Sequence, residues 1–399
     1  MKQTPTSSPR GFTFIELMAS LTLGILVVGL AVKLFSQGVD ATWVISQRAE
    51  MQQDLRAVQN ILFKDISLAG AGLPVGQGVA LASGTGTSPI YGCDQTGTAA
   101  GCPPNGGVNY PCAGGCPGVP TLYGVMPGFA LGVIPPGSPV TTDLITVTYS
   151  DIIFALNCYN ASITSGTQVT FTVQNPLSSS CVLPPGLNAP QNVNDPVVGL
   201  TPGDLVLFQG TTGVAPSTNT FYAVGEVTNV SGGNGAYAVT FGANDPLQMN
   251  QPGAANDLSA YVGGNNIVAS RIFVITYYLK VQPDPINAGP GTPVLMRQVS
   301  GHTAVPVYEN IVNMQYTYDT YNSSGTLLSN SPDGGESAGI SLNLIQKINI
   351  EHLAMRSQLN GARSALYATS GYQGYDVQTS ISARNLSYQN RYVVPPNQN

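Results

Sequence analysis

Charge is what this chain has least of. Only 9% of its 399 residues are Asp, Glu, Lys or Arg, where an average soluble domain has about a quarter. Lys and Arg number 14 against 20 acidic residues, a net charge of −6. That leaves no broad electrostatic footprint for nucleic acid. Histidine is nearly absent: His302 and His352 are the only two, both remote in sequence from the cysteines. No Walker A sequence, dinucleotide fingerprint or His-Glu-x-x-His occurs, so no cofactor is expected. Helix-forming composition is also scarce. Gly (46) and Pro (30) are abundant, and these are the poorest helix formers. Strands joined by many turns tolerate them.

Six cysteines lie in the first half of the chain: Cys93, Cys102, Cys112, Cys116, Cys158 and Cys181. An even number in loop-rich sequence favours disulfides in an oxidising compartment. Cys112 and Cys116 also have a plausible metal-ligand spacing, but most spacings match no familiar zinc pattern. Local pairing would join Cys93 to Cys102, Cys112 to Cys116 and Cys158 to Cys181; six cysteines allow about 15 pairings.

The N-terminal region is built differently. "RGFTFIELMASLTLGILVVGL" turns apolar at Phe12 and stays so to Phe35, with one carboxylate, Glu16, inside. About 20 apolar residues span a bilayer, and Lys2 and Arg10 before the run favour a cytoplasmic N-terminus. A cleaved secretory signal has a shorter apolar core. A plain anchor would not explain Glu16, since a charge at mid-bilayer costs about 2.5–3.5 kcal/mol. A place near the interface and the helix dipole would moderate that cost.

Beyond Gly38, Met51, Leu55, Val58, Leu62, Ile66 and Ala69 recur at steps of three and four. They predict one buried face of a helix running from Phe12 to Ala69. "GAGLP" at 70–74 is its stop. Residues 71–399 read as a β-rich head. Within it, 75–140 is a Cys/Gly/Pro-rich loop insertion with little regular structure. From about 141, "DLITVTYS", "TQVTFTVQ", "DLVLFQG", "FYAVGEVTNV", "AYAVTFG", "RIFVITYYLKV", "PVLMRQVS", "NIVNMQYTYDTY", "NLIQKINIEHLAMRS" and "YDVQTSISARNLSYQN" predict strands. The fold class is α+β: a long helix with an antiparallel sheet packed on its stem.

The segment at 10–32 resembles the processing site of type IV prepilins and type II secretion pseudopilins. The resemblance implies a leader at 1–11, cleavage after Gly11 by a prepilin peptidase, N-methylation of Phe12, and an assembly role for Glu16 as fifth mature residue. Phe14 stands where leucine is common. Glu16 would then face another subunit's Phe12 amine in a filament core, where each charge has a partner. The stem, and Tyr277, Tyr278, Leu295, Arg297, Asn310, Ile311, Tyr316, Asp319, Arg384 and Asn385, look like PilW-type minor pilins. No resemblance covers the middle of the chain. It implies a non-enzymatic pilus subunit that incorporates into, or primes, the filament. Its partners would be other pilins and the inner membrane, followed by the cell surface. The large head points to an adhesive tip whose ligand is open. The alternatives are a PulJ-type pseudopilin and a membrane-anchored hydrolase or binding protein.

For a hydrolase the sequence offers only "GESAG" at 335–339, a Gly-x-Ser-x-Gly match around Ser337 that lacks the strand-turn-helix setting of a nucleophile elbow. Asp319, Asn322 and Asp333 are weak calcium candidates without EF-hand spacing; solvated turns are the preferred reading.

Overall fold

The computed structural model describes residues 11–74, 76–84, 89–91, 120–136, 138–151, 153–154, 156–179, 181, 183, 185–213, 217–243, 245–283, 291–322, 324–357, 374–383 and 385–386. The leader's residues 1–10, Cys93, Cys102, Cys112, Cys116 and Arg384 lie outside these. Two compact units are distinguished, one containing the helix through Gln53 and the other Asp54 through Arg356 with the chain from Gly374 onward.

Helix α1 (Phe14–Leu68) is continuous for 55 residues, about 80 Å at 1.5 Å per residue. It passes unbroken through Gly24, Gly29 and Gly38, around which no neighbouring atom lies close. From Phe14 to Phe35 its large apolar side chains are exposed; this part is long and apolar enough to cross a membrane. The predicted stem face is buried throughout: Met51, Leu55, Val58, Leu62, Ile66 and Ala69. The helix ends where Gly70 and Gly72 take left-handed φ of 80° and 71°, which only glycine adopts freely. A Cβ at Gly70 would also strike Leu386.

The strands follow as β1 (Val79–Ala80), β2 (Thr121–Leu122), β3 (Val125–Gly128), β4 (Leu144–Ser150), β5 (Tyr159–Ser165), β6 (Gln168–Val173), β7 (Leu205–Thr212), β8 (Asn219–Glu226), β9 (Asn229–Gly233), β10 (Ala236–Thr240), β11 (Asn265–Gln282), β12 (Thr292–Val299), β13 (Val305–Glu309), β14 (Ile311–Tyr321), β15 (Leu327–Ser331), β16 (Ile345–Arg356) and β17 (Gly374–Ser382). All pairings are antiparallel. The central sheet runs β13-β12-β11-β4-β3, with β7 and β8 joined through the first half of β11. A second sheet runs β15-β14-β16-β17, and a third β5-β6-β10-β9. With α1, this is the α+β architecture expected.

Three expectations need correction. The helix starts at Phe14, not Phe12, because Thr13 caps it. "FYAVGEVTNV" is two strands, β8 and β9, not one. The 75–140 segment is not all loop: β3 lies buried against β4 despite Pro127, because it is an edge strand, where a missing N–H is tolerated.

β4 and β11 are partners, with Ser150 opposite Ile272, yet 121 residues separate them. The intervening chain makes a small sandwich with its own core. The β5-β6-β10-β9 sheet supplies Ile163, Val169, Phe171 and Tyr237, and β7, β8 and β11 supply Phe208, Phe221 and Ala269. The predicted Cys158–Cys181 disulfide is present here.

Candidate processing and assembly site

Gly11 and Phe12 precede α1 and are exposed, Phe12 at 88%. Nothing crowds the position a Cβ would occupy on Gly11. Thr13 and Glu16 then form a reciprocal cap. The Thr13 N–H donates to Glu16 Oε2 at 3.0 Å, its hydroxyl donates to the same oxygen at 2.9 Å, and the Glu16 N–H donates to Thr13 Oγ1 at 3.4 Å. This is a capping box, which satisfies helix N–H groups that lack partners. Thr13 was not singled out above, although Thr-x-x-Glu before an apolar run is its sequence signal. Glu16 therefore has a local role within this chain.

A second site ties the stem part of α1 to the central sheet. Asp65 is 3% exposed at the edge of the buried stripe. Its Oδ2 accepts from the Tyr277 hydroxyl on β11 at 2.6 Å and from Arg297 Nε on β12 at 2.8 Å. Its Oδ1 accepts from the Tyr149 hydroxyl on β4 at 3.2 Å. Tyr277 and Arg297 are cross-strand partners, and the Arg297 Nε also donates to the Tyr277 oxygen at 3.1 Å. Burial, then the Asp65 charge, pushes both phenols well above the ordinary tyrosine range. They stay neutral and keep donating. Of the residues that carried the resemblance in the head, Tyr277 and Arg297 thus meet at one carboxylate of the stem. Asn310 serves elsewhere: at φ 62° it turns the chain from β13 into β14 and accepts from the Arg356 N–H through its carbonyl at 2.9 Å.

The remaining candidates are not brought together. Asn322 Oδ1 accepts from the N–H groups of Ser324 and Thr326. Asp319 accepts from the Asn330 N–H and pairs with Lys347 at 3.4 Å. Asp333 accepts from Ser331, Gly335 and Ser337, and these donors hold its carboxyl down at about 2. Asn322 and Asp333 are occupied within their own turns and Asp319 by neighbouring strands, and among the described residues no group of three or more His, Cys, Asp or Glu could hold a metal. Ser337 sits on a one-turn 3₁₀ helix, Glu336–Ala338, with its N–H on Asp333. His302 pairs with Asp204 at 2.9 Å and His352 with Asp376 at 2.6 Å.

Comparison with protein-family models, curated proteins and solved structures finds no match.

Proposed function

We propose that the chain is a prepilin-like subunit, most similar to PilW-type minor pilins. It is cut after Gly11 by a prepilin peptidase, methylated at Phe12, and carried into a pilus or its priming complex by α1. The observation that carries this reading is the continuity of α1. An exposed apolar helix opens on Gly11-Phe12-Thr13-Phe14-Ile15-Glu16 and runs on without a break into a stem whose face is buried. A soluble domain has no use for an exposed apolar half, and an ordinary anchor has no use for the Gly-Phe-Thr-Phe-Ile-Glu opening. A tip or adhesive role would rest with the head. The hydrolase alternative lacks support at Ser337, whose backbone partner is an aspartate within its own turn.

The test is mass spectrometry of the N-terminal peptide from sheared surface filaments and from membranes of the native cells. A peptide beginning at N-methylated Phe12 in filaments is the expected result. The processed peptide in membranes alone would favour the PulJ-type pseudopilin. An uncut N-terminus in both fractions would overturn the proposal.

A further inference from the structure

Glu226 ends β8, and Asp245 opens the turn at 245–250. They are 0% and 4% exposed, and they accept from N–H groups two residues apart in one turn, which sets the two carboxyls side by side. The turn's backbone donates to both. Leu247 N–H reaches Glu226 Oε2 at 3.0 Å, Met249 N–H reaches Asp245 Oδ2 at 2.6 Å, and Asn250 N–H reaches Asp245 Oδ1 at 3.1 Å. The Asn250 side chain closes the knot. It accepts from the Glu226 N–H at 2.9 Å and donates to the carbonyls of Glu226 at 2.7 Å and Gly242 at 3.0 Å. One atom is left over: Glu226 Oε1 is buried and receives no donor. It lies so close to the backbone of Gly301 that a Cβ there would collide with it.

Two buried carboxyl groups side by side do not both ionise without a large cost. A divalent cation would need about six to eight oxygens, whereas this turn presents N–H groups and three of the four carboxylate oxygens already accept them. A hydroxyl on the spare oxygen meets the requirement alone. Other charged groups on the surrounding elements are paired elsewhere: Asp204 with His302 at 2.9 Å and Arg271 at 3.6 Å, Arg271 also with Asp151, while Asp257 accepts from Ser259.

We infer that one proton shared by Glu226 and Asp245 latches the 242–250 turn to the end of β8, and that its loss at alkaline pH releases this turn with the chain docked on it. The docked chain is the stretch around 81–90. Ile90 N–H donates to the Leu247 carbonyl at 2.9 Å, and Ser83 and Ala255 exchange a pair of backbone hydrogen bonds at 3.1 Å. Ser83 and Ile90 lie within the 75–140 segment, so the latch governs how these described residues are held. Burial and the neighbouring acid hold the Glu226 carboxyl far above the ordinary range, and burial raises Asp245 as well.

Amide hydrogen exchange on the full chain in detergent, expressed as protection factors from about pH 6 to about pH 10, tests the latch. Protection at 81–83, 90 and 242–257 should fall together by about tenfold or more on the alkaline side, while β14 and β16 hold. Glu226→Gln places a neutral donor where the shared proton was, and its protection should stay flat. Wild-type infrared spectra give a readout independent of the variant: a protonated-carboxyl band should persist at about pH 8 and vanish as protection is lost. Flat wild-type protection, absence of that band, or a stoichiometric metal co-purifying with the chain would each overturn the inference.

Discussion

Glu16 has two physical accounts at the scale of one residue, and a pair of substitutions separates them. As the last residue of a capping box it accepts from the Thr13 N–H and hydroxyl at the first helical turn. As a charge it would meet the amine of another subunit. Glutamine serves equally well at that capping position but carries no charge. If the charge matters, Glu16→Gln and Glu16→Ala should both lower the amount of the protein in sheared filaments, by about tenfold or more, with membrane insertion unchanged. Immunoblots of the two fractions measure this. If Glu16→Gln assembles normally and only Glu16→Ala fails, the residue is a cap. The motif at 11–16 is legible in the sequence because its partners are neighbours. Asp65 is not, since Tyr277 lies 212 residues away, and Glu226 is not, because nothing local marks an acid whose partner is another acid.

Between elements, single carboxylates do the joining. Asp65→Ala would strand the Arg297 charge and two phenols, and removing one partner from a buried pair costs about 3–5 kcal/mol. Chemical denaturation of the chain in detergent should show that loss, with Asp65→Asn losing less because its amide oxygen still accepts.

Asp143 joins β4 to the second sheet. Its Oδ1 accepts from the Ala130 N–H and its Oδ2 from the Tyr316 N–H, both at 2.8 Å. Burial pushes its carboxyl up to about 6. The unfolded chain ionises near its ordinary 3.8, so the folded state holds the proton longer. Stability from this group is full below about pH 4 and lost as pH rises through about 6, by about 2–3 kcal/mol. Thermal melting of Asp143→Asn should be flatter across that window than wild type, although lower at its start for want of one acceptor. The effect of Asp143 is complete near pH 6, so an alkaline limb belongs to the Glu226–Asp245 pair.

The stem's buried face was readable as a period of three and four, and most strands as alternating segments. What escaped was set by topology. β5, β13 and β15 are edge strands with exposed, polar or proline-containing sequence, and their patterns are weak because only one side needs a partner.

For the molecule as a whole, the register of β4 against β11 has a consequence for descent and for engineering. Ser150 and Ile272 are opposite each other, the spacing at which two strands can be joined by a tight turn. The chain that leaves at one and returns at the other is a cassette with adjacent ends, spliced into what would otherwise be a plain hairpin. A lineage could exchange that cassette for another, or for two turn residues, and keep the Asp65 knot and the helix beneath it. The surface that the cassette presents and the sheet that holds α1 can therefore change independently.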